Sequence, residues 1–254
     1  MPSRRRFTLP ADAATWPPKQ VRRVVAEHLA DVLPGSWTVL RDGLTSTTEG
    51  RRTRIELQSM SMSRTGHLVL APRVAVEVAA VRAWTTRHLP GERVTTRVLN
   101  SLLMNVTEVS YVDVVSDPRL GDEEETSVDD LVRVLVDDVQ PVIDLLADPE
   151  RVVRELPEAW VTCSLVSPDL LIWLITQGRP DLVWPLMLRC VGEQELSWFA
   201  AALRAARAGA DLDAFAGDVD ATAAYWMASL GDHAELGPDP DPVAAALREK
   251  NTWR

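Results

Sequence analysis

Alternating hydrophobic and polar positions are concentrated in one stretch, residues 51–84. Its apolar positions recur at every second residue: Ile55, Leu57, Val74, Val76 and Val78. Because successive side chains of a strand point to opposite faces, this pattern predicts half-buried antiparallel strands at about 52–60 and 67–82. Pro72 interrupts the second strand. Since proline has no N–H to donate to the ladder, it predicts an edge position or a bulge there.

Other short elements flank these strands. A stripe with three- and four-residue spacing predicts a helix that begins at Pro17-Pro18: Val21, Val24, Val25, His28, Leu29 and Val32. Residues 37–40 predict a short strand, and residues 45–50 a polar connection. Residues 94–103 have the apolar spacing of a helix, and residues 106–115 alternate again. The first part is therefore predicted as α+β, an N-terminal antiparallel sheet with flanking helices.

From Ser127 onward the apolar period is that of helices. Ser127 and Asp130 have the spacing of a capping box, and the apolar stripe that follows runs to Leu146. Pro141 predicts a kink within it. Further helices are predicted at about 149–156, 168–177, 179–191, 193–208, 220–230 and 242–250. This pattern predicts an all-α C-terminal helical domain.

Charge divides the chain near residue 120. Residues 1–110 hold 16 Lys and Arg against 9 Asp and Glu, whereas residues 111–254 hold 11 against 28, so the net charges are +7 and −17. Either the two halves pack on each other or the basic half meets an anionic partner. The predicted organisation is a flexible basic arm at 1–15, an α+β domain at 16–117, an acidic linker at 118–126 and a helical domain at 127–254.

The composition is that of a globular protein, with 46% hydrophobic and 25% charged residues. Cys163 and Cys190 lie in apolar surroundings, which indicates small core residues in a reducing compartment rather than a disulfide. No stretch approaches the roughly 18 apolar residues of a membrane helix, and no apolar segment follows the arginines at residues 4–6. We therefore expect a cytoplasmic protein without a membrane partner.

Motifs that would fix a reaction are missing from the sequence. The four histidines are scattered, no glycine-rich phosphate loop occurs, and no nucleophile elbow is present. His28, on the apolar stripe of the first helix, is interpreted as a packing residue. The sequence therefore predicts no metal site, no cofactor and no catalytic residues.

One arrangement supplies an alternative. Glu27 lies on the first helix, Asp42 follows a strand, and Glu56 and Gln58 lie on the next strand. This order resembles the PD-(D/E)xK nucleases, whose carboxylates hold a divalent cation. The sequence departs from that family because Gln58 stands at the lysine position and Asp42 lies in a turn. The competing interpretation is a charged outer face of the sheet.

Two groups of residues are candidates for contact with another protein. They are an acidic run and two of the nine tryptophans: Asp122, Glu123, Glu124, Glu125, Trp173 and Trp184. Tryptophan is enriched at binding interfaces, and acidic side chains attract basic partners. The competing interpretations are a solvated linker for the acids and core packing for the tryptophans.

Several short segments resemble uncharacterised bacterial proteins of unknown function that are found near contact-dependent toxin loci. They are Leu57-Gln58-Ser59, Val74 to Val78, Trp84, and Pro141 to Leu146 with Asp148. The resemblance covers about residues 20–160. It implies a binding or immunity role and supplies no catalytic residues.

These observations lead to one prediction of function and two alternatives. The chain is predicted to be a non-enzymatic protein-interaction module, of immunity or assembly type, whose acidic helical surface binds a basic protein. A nucleic-acid partner is disfavoured because the chain is acidic overall, and a homo-oligomer is compatible with the sequence. The alternatives are the metal-dependent nuclease and a structural subunit of a larger complex, which would expose a large apolar patch.

Overall fold

The computed structural model describes residues 6–88, 97–116, 127–160, 169–183 and 185–186. The chain divides into two compact units. The first comprises Met1–Val78 and Arg97–Asp144, and the second comprises Ala79–Thr96 and Leu145–Arg254. Residues 127–144, predicted as the start of the helical domain, therefore belong to the first unit. Residues 79–96, predicted as part of the α+β domain, belong to the second.

The described part of the first unit is built on a six-stranded antiparallel sheet. Its strands are β1 Thr38–Leu40, β2 Gly43–Thr48, β3 Arg51–Ser59, β4 His67–Val78, β5 Arg97–Leu102 and β6 Val112–Val115. The first four pair in sequence order, and β5 and β6 both pair with the free edge of β4. With the helices that accompany the sheet, the described residues confirm the predicted α+β class.

Six α-helices have both ends within the described residues. They are α1 Pro18–Val32, α2 Ala79–His88, α3 Val128–Val134, α4 Gln140–Leu145, α5 Pro149–Glu155 and α6 Asp169–Thr176. A π-helical turn, Leu135–Val139, joins α3 to α4. Short 3-10 turns occur at Ala13–Thr15, Leu103–Asn105 and Pro180–Leu182.

One face of the sheet forms the core of the first unit. The pairing register places the following buried side chains on that face: Leu44, Ile55, Leu57, Leu68, Leu70, Val74, Val76, Leu99, Val112 and Val114. Helix α1 packs there with Val21, Val25 and Leu29, and α3 packs against β6. Burying each such Leu or Val side chain contributes roughly 1.5–3 kcal/mol, so this shared face supplies most of the driving force for folding.

Pro72 lies within the central strand β4 rather than at a sheet edge. Its register partner Leu57 donates its backbone N–H to Asp42 of the β1–β2 turn, at 2.8 Å, so the nitrogen of Pro72 faces away from β3. On that other side β6 pairs only with residues 67–70 and β5 only with residues 73–77. Proline therefore occupies the gap between two successive partner strands, where no ladder bond is lost.

Three sequence predictions of local structure were wrong. Residues 45–50 were expected to be a connection, but most of them belong to β2, which pairs with strands on both sides. Residues 94–103 were expected to be helical, but residues 97–102 form β5. The pairing of β4 with β5 shifts by one residue between Val76 and Glu77, and the adjacent residues Val98 and Leu99 of β5 are both buried. Two adjacent apolar residues break the two-residue period of a strand, so the sequence has the apolar spacing of a helix. Residues 79–82 start α2 instead of ending β4.

The helix that begins after Ser127 confirms the predicted capping box. Ser127 accepts a hydrogen bond from the backbone N–H of Asp130, and the Asp130 carboxylate accepts one from the backbone N–H of Ser127. A π-helical turn lies just before Pro141, the position where a kink was predicted, and there the backbone N–H of Gln140 donates to the carbonyl of Leu135, five residues back. The wider turn accommodates the proline ring, which would otherwise meet the carbonyl four residues earlier.

The described part of the predicted N-terminal arm packs on the first unit. The backbone N–H of Phe7 donates to Asp129 at 3.0 Å, and the ring of Phe7 meets that of His28 edge-on at 5.1 Å. Ala13 is fully buried. His28 therefore acts as a packing residue, as predicted, and burial lowers its pKa although Asp129 and Asp31 act in the opposite direction.

The second unit contains a helix that is apolar on nearly every side. Five consecutive residues of α6, 170–174, are buried, as is Trp160. Helix α5 starts at Asp148, whose carboxylate accepts from the backbone N–H groups of Glu150 and Arg151, as predicted for this segment. Arg179 binds Glu150 and Asp181, each at 2.8 Å. The helices predicted at 193–208, 220–230 and 242–250, and both cysteines, lie outside the described residues.

We predict that Gly43→Ala destabilises the protein strongly. A methyl group on Gly43 would overlap the backbone carbonyl of Ile55 in the adjacent strand, so β2 and β3 would have to separate. We expect a loss of about 2 kcal/mol or more in the free energy of unfolding, measured by urea denaturation. Gly50→Ala is the matched control, because its methyl group would enter open space and only its positive φ is disfavoured, at about 1 kcal/mol. Equal losses in the two variants would contradict this account.

We also predict that His28 makes the protein less stable in mild acid. Because its pKa in the folded state lies below the ordinary value of 6.5, the unfolded chain takes up the proton first as the pH falls. The contribution to stability is complete above pH 6.5 and is lost as the pH falls toward the folded pKa. Urea denaturation across this range should show a shallower pH dependence for His28→Gln than for the natural chain. Identical slopes would contradict it.

Candidate functional site

The face of the sheet opposite α1 carries a group of charged side chains. We call this group the sheet-face cluster: Asp42, Arg52, Arg54, Glu56, Glu77 and Arg97. Its members come from the β1–β2 turn and from β3, β4 and β5. The antiparallel register brings them together, since it pairs Glu56 with Arg73, Arg52 with Glu77, and Glu77 with Arg97. The two-residue period of β3 thus separates an apolar core face from a charged face.

Each glutamate of the cluster lies between two arginines. Glu56 accepts a hydrogen bond from Arg97 at 3.1 Å and lies 3.7 Å from Arg54, while its side chain is only 12% exposed. Glu77 lies 3.7 Å from Arg52 and 3.9 Å from Arg97. Partly buried carboxylates held in this way are neutralised within the sheet. The cluster is therefore built to hold strands together rather than to bind a cation.

The structure does not assemble the ligands of the nuclease alternative. Glu27 pairs with Arg23 on the exposed side of α1, at 2.9 Å, and α1 covers the sheet face opposite Glu56. Asp42 and Glu56 are both bound to Arg54, and Gln58 is exposed. Across the described ranges no three His, Cys, Asp or Glu side chains are grouped to hold a metal ion. The competing interpretation, a charged outer sheet face, matches the placement of Asp42 and Glu56.

The interaction candidates from the sequence fare differently. The acidic run, Asp122 to Glu125, and Trp184 lie outside the described residues. Trp173 is 1% exposed and belongs to the core of the second unit, because α6 is buried on nearly all sides. As an exposed anchor for a partner Trp173 was therefore the wrong choice, and its competing interpretation as a packing residue is the correct one.

A different acidic surface lies on the helical segment from α3 to α4. We call it the acidic helix face: Asp130, Asp137, Asp138 and Asp144. The segment buries its apolar residues, which leaves these carboxylates on the solvent side together with Arg133. The hydroxyl and backbone N–H of Ser127 lower the pKa of Asp130. The sequence signal was available, since these acids occupy the polar positions between the predicted apolar ones.

A basic groove lies between the start of α1 and strand β1. Its volume is about 570 Å³, and its lining residues are Lys19, Gln20, Arg22, Arg23, Val39, Leu40 and Arg41. Four of these seven carry a positive charge, and none is acidic. Arg22 and Arg23 lie outside the predicted apolar stripe of α1, but no sequence signal indicates that Arg41 lies beside them.

Comparison with known proteins identifies no relative: no family model, no curated protein and no solved structure matches the chain. The resemblance to proteins of toxin loci therefore stays a prediction. None of the described helices has both the length and the apolar character that crossing a membrane requires. Function is inferred below from the chain's own charged surfaces.

We predict that Glu56→Gln destabilises the fold by about 1–3 kcal/mol, because the two arginines that flank it lose a partly buried counter-charge. Asp42→Asn is the matched control. It removes a carboxylate bound to the same Arg54, but one that is 57% exposed, and should cost less than about 1 kcal/mol. Urea denaturation of both variants at two salt concentrations measures the difference. The account fails if Asp42→Asn proves as costly as Glu56→Gln.

Proposed function

We propose that this chain is a non-enzymatic, cytoplasmic protein-interaction module that binds a basic protein through its acidic helix face. The observation that carries the proposal is the placement of Asp137, Asp138 and Asp144 on the exposed side of a helical segment whose other side is fixed in the core. A rigid helix holds such carboxylates in place before a partner arrives. Less ordering entropy is then lost on binding than with a flexible tail.

Acidic residues outnumber basic ones in this segment. Residues 127–144 contain five aspartates and one arginine, a net charge of −4. The arginines of the sheet are paired instead with acids of the sheet and its turns, such as Arg52 with Glu77 and Arg54 with Asp42. Asp129 is the aspartate that binds the N-terminal segment, through Arg6 and Phe7. The acids of the acidic helix face thus support attraction of a positively charged partner.

The proposal extends to the rest of the acidic half. Residues 111–254 carry a net charge of −17, and the described helices α5 and α6 belong to that half. We propose that the remaining residues complete an all-α C-terminal domain, as the sequence predicts, and enlarge the acidic surface. An immunity role fits this chemistry, since toxins directed at nucleic acids are basic and an acidic protein neutralises them.

The structural-subunit alternative receives less support. In the part of the chain that the structure describes, the large apolar side chains that are exposed belong to Met62 and Met104. Single exposed methionines do not form the contiguous apolar patch that assembly into a larger complex requires. Charge rather than apolar area therefore favours the interaction-module proposal.

The test is a charge reversal on the acidic helix face. Asp137→Lys with Asp138→Lys should weaken binding to a basic partner by at least about ten-fold, which corresponds to about 1.4 kcal/mol. The matched control is Asp12→Lys with Glu108→Lys, the same charge change on exposed residues of the same unit outside the helical segment. Partners are captured from the native host, identified by mass spectrometry, and titrated as purified proteins at low and high salt.

The supporting result is a basic protein that is lost by the helix-face variant, retained by the control and weakened by salt. An acidic captured partner would overturn the proposal, and so would equal loss of binding in both variants, because either shows that the acidic helix face does not recognise the partner.

A further inference from the structure

We propose that the basic groove between α1 and β1 is a binding site for a phosphate-bearing small molecule of nucleotide size. The site lies entirely in the first unit, and its residues are distinct from those of the acidic helix face. It is carried by three observations: unpaired positive charge, a fixed arginine with an unsatisfied donor, and a volume with one apolar wall.

Three cations of the groove have no counter-charge among the described residues, which sets them apart from the arginines of the sheet-face cluster. Every arginine of the sheet-face cluster is paired with a carboxylate. In the groove, Arg23 pairs with Glu27, but Lys19, Arg22 and Arg41 have no carboxylate within 4.0 Å among the described residues. Like charges placed together without an anion repel one another, and a bound anion would relieve that repulsion.

Arg22 is the fixed point of the groove. Its terminal nitrogen Nη1 donates to the hydroxyl of Ser59 at 3.1 Å, which holds the guanidinium against the end of β3. Its Nε is buried and has no hydrogen-bond partner in the described part of the chain. A buried donor left without a partner costs about 1–3 kcal/mol, and an oxygen of a ligand bound in the groove would supply the acceptor.

The shape and the surroundings favour a phosphate over other anions. Guanidinium groups match phosphate oxygens in geometry, and the groove lies beside the first turn of α1, where the helix dipole is positive. A volume of about 570 Å³ lies within the range of small-molecule sites. Val39 and Leu40 are half-buried and form an apolar wall for the non-phosphate part of the ligand.

A polymeric anion is less well matched. The chain has a net charge of −10, and the acidic helix face belongs to the same unit, so a long nucleic acid would be repelled outside the groove. A small phosphorylated ligand experiences mainly the local cations. A small phosphorylated ligand should therefore bind the groove more tightly than a single-stranded oligonucleotide, and the experiment compares the two.

The experiment titrates the full chain with inorganic pyrophosphate and with ATP by calorimetry. We expect dissociation constants below about 1 mM at low salt. Chemical shifts of backbone amides should change at residues 19–23 and 39–41. Arg41→Gln, an exposed position, should weaken binding at least about five-fold, and Arg22→Gln with Arg41→Gln more than ten-fold. Arg64→Gln, an exposed arginine of the same unit outside the groove, is the matched control and should bind like the natural chain.

Thermal denaturation of Arg41→Gln should give the melting temperature of the natural chain, so that a loss of binding in that variant reports on the groove itself. The proposal is overturned if neither probe binds up to about 10 mM, or if Arg64→Gln loses as much affinity as Arg41→Gln. It is also overturned if a single-stranded oligonucleotide or a polyglutamate peptide displaces ATP at lower concentration, because the groove would then be a polymer-binding surface. The variant Asp137→Lys with Asp138→Lys should retain ATP binding. Failure of the groove proposal can therefore be told apart from failure of the proposed function.

Discussion

Strand β4 is the constraint on which the first unit depends. One of its edges pairs with β3 along nearly its whole length, and the other pairs first with β6 and then with β5. The positions of β3, β5 and β6 in the sheet are thus all set by pairing with β4. The change of partner coincides with Pro72, the one residue of the strand that has no N–H to give. A residue that would break a uniform ladder is tolerated because the ladder itself is interrupted there.

The two faces of this sheet differ in polarity. One face is apolar, and α1 and α3 pack against the sheet. The other face holds arginines and glutamates that neutralise each other at 3.1–3.9 Å. Charges paired in this manner contribute to strand specificity and leave little field for a ligand. The charge able to act outside the unit is therefore that on the helices and at the groove.

Much of this architecture follows from local sequence signals. The alternation of β3 and β4, the stripe of α1, the capping box at Ser127 and the cap at Asp148 each express a short-range rule that needs no knowledge of distant residues. β2 was missed because its threonines and serine face partly to solvent, so no apolar period marks it. β5 was missed because a register shift in its partner strand places two adjacent apolar residues in the core. In both cases the deciding information lies in a neighbouring strand.

The candidate surfaces show the same limit for function. Glu56 was conspicuous in the sequence because a charge stands between apolar neighbours, yet its arginine partners are 2 and 41 residues away, and only the fold brings Arg97 to it. Arg41 and Arg22 were unremarkable in the sequence, yet both line one groove and neither has a carboxylate partner in the part of the chain that the structure describes. Isolated charges in a sequence thus say little about binding until their pairing is known. A charge consumed within the fold stabilises it, whereas a charge that the fold brings beside others of the same sign, and leaves uncompensated, is the one that an external ligand can satisfy.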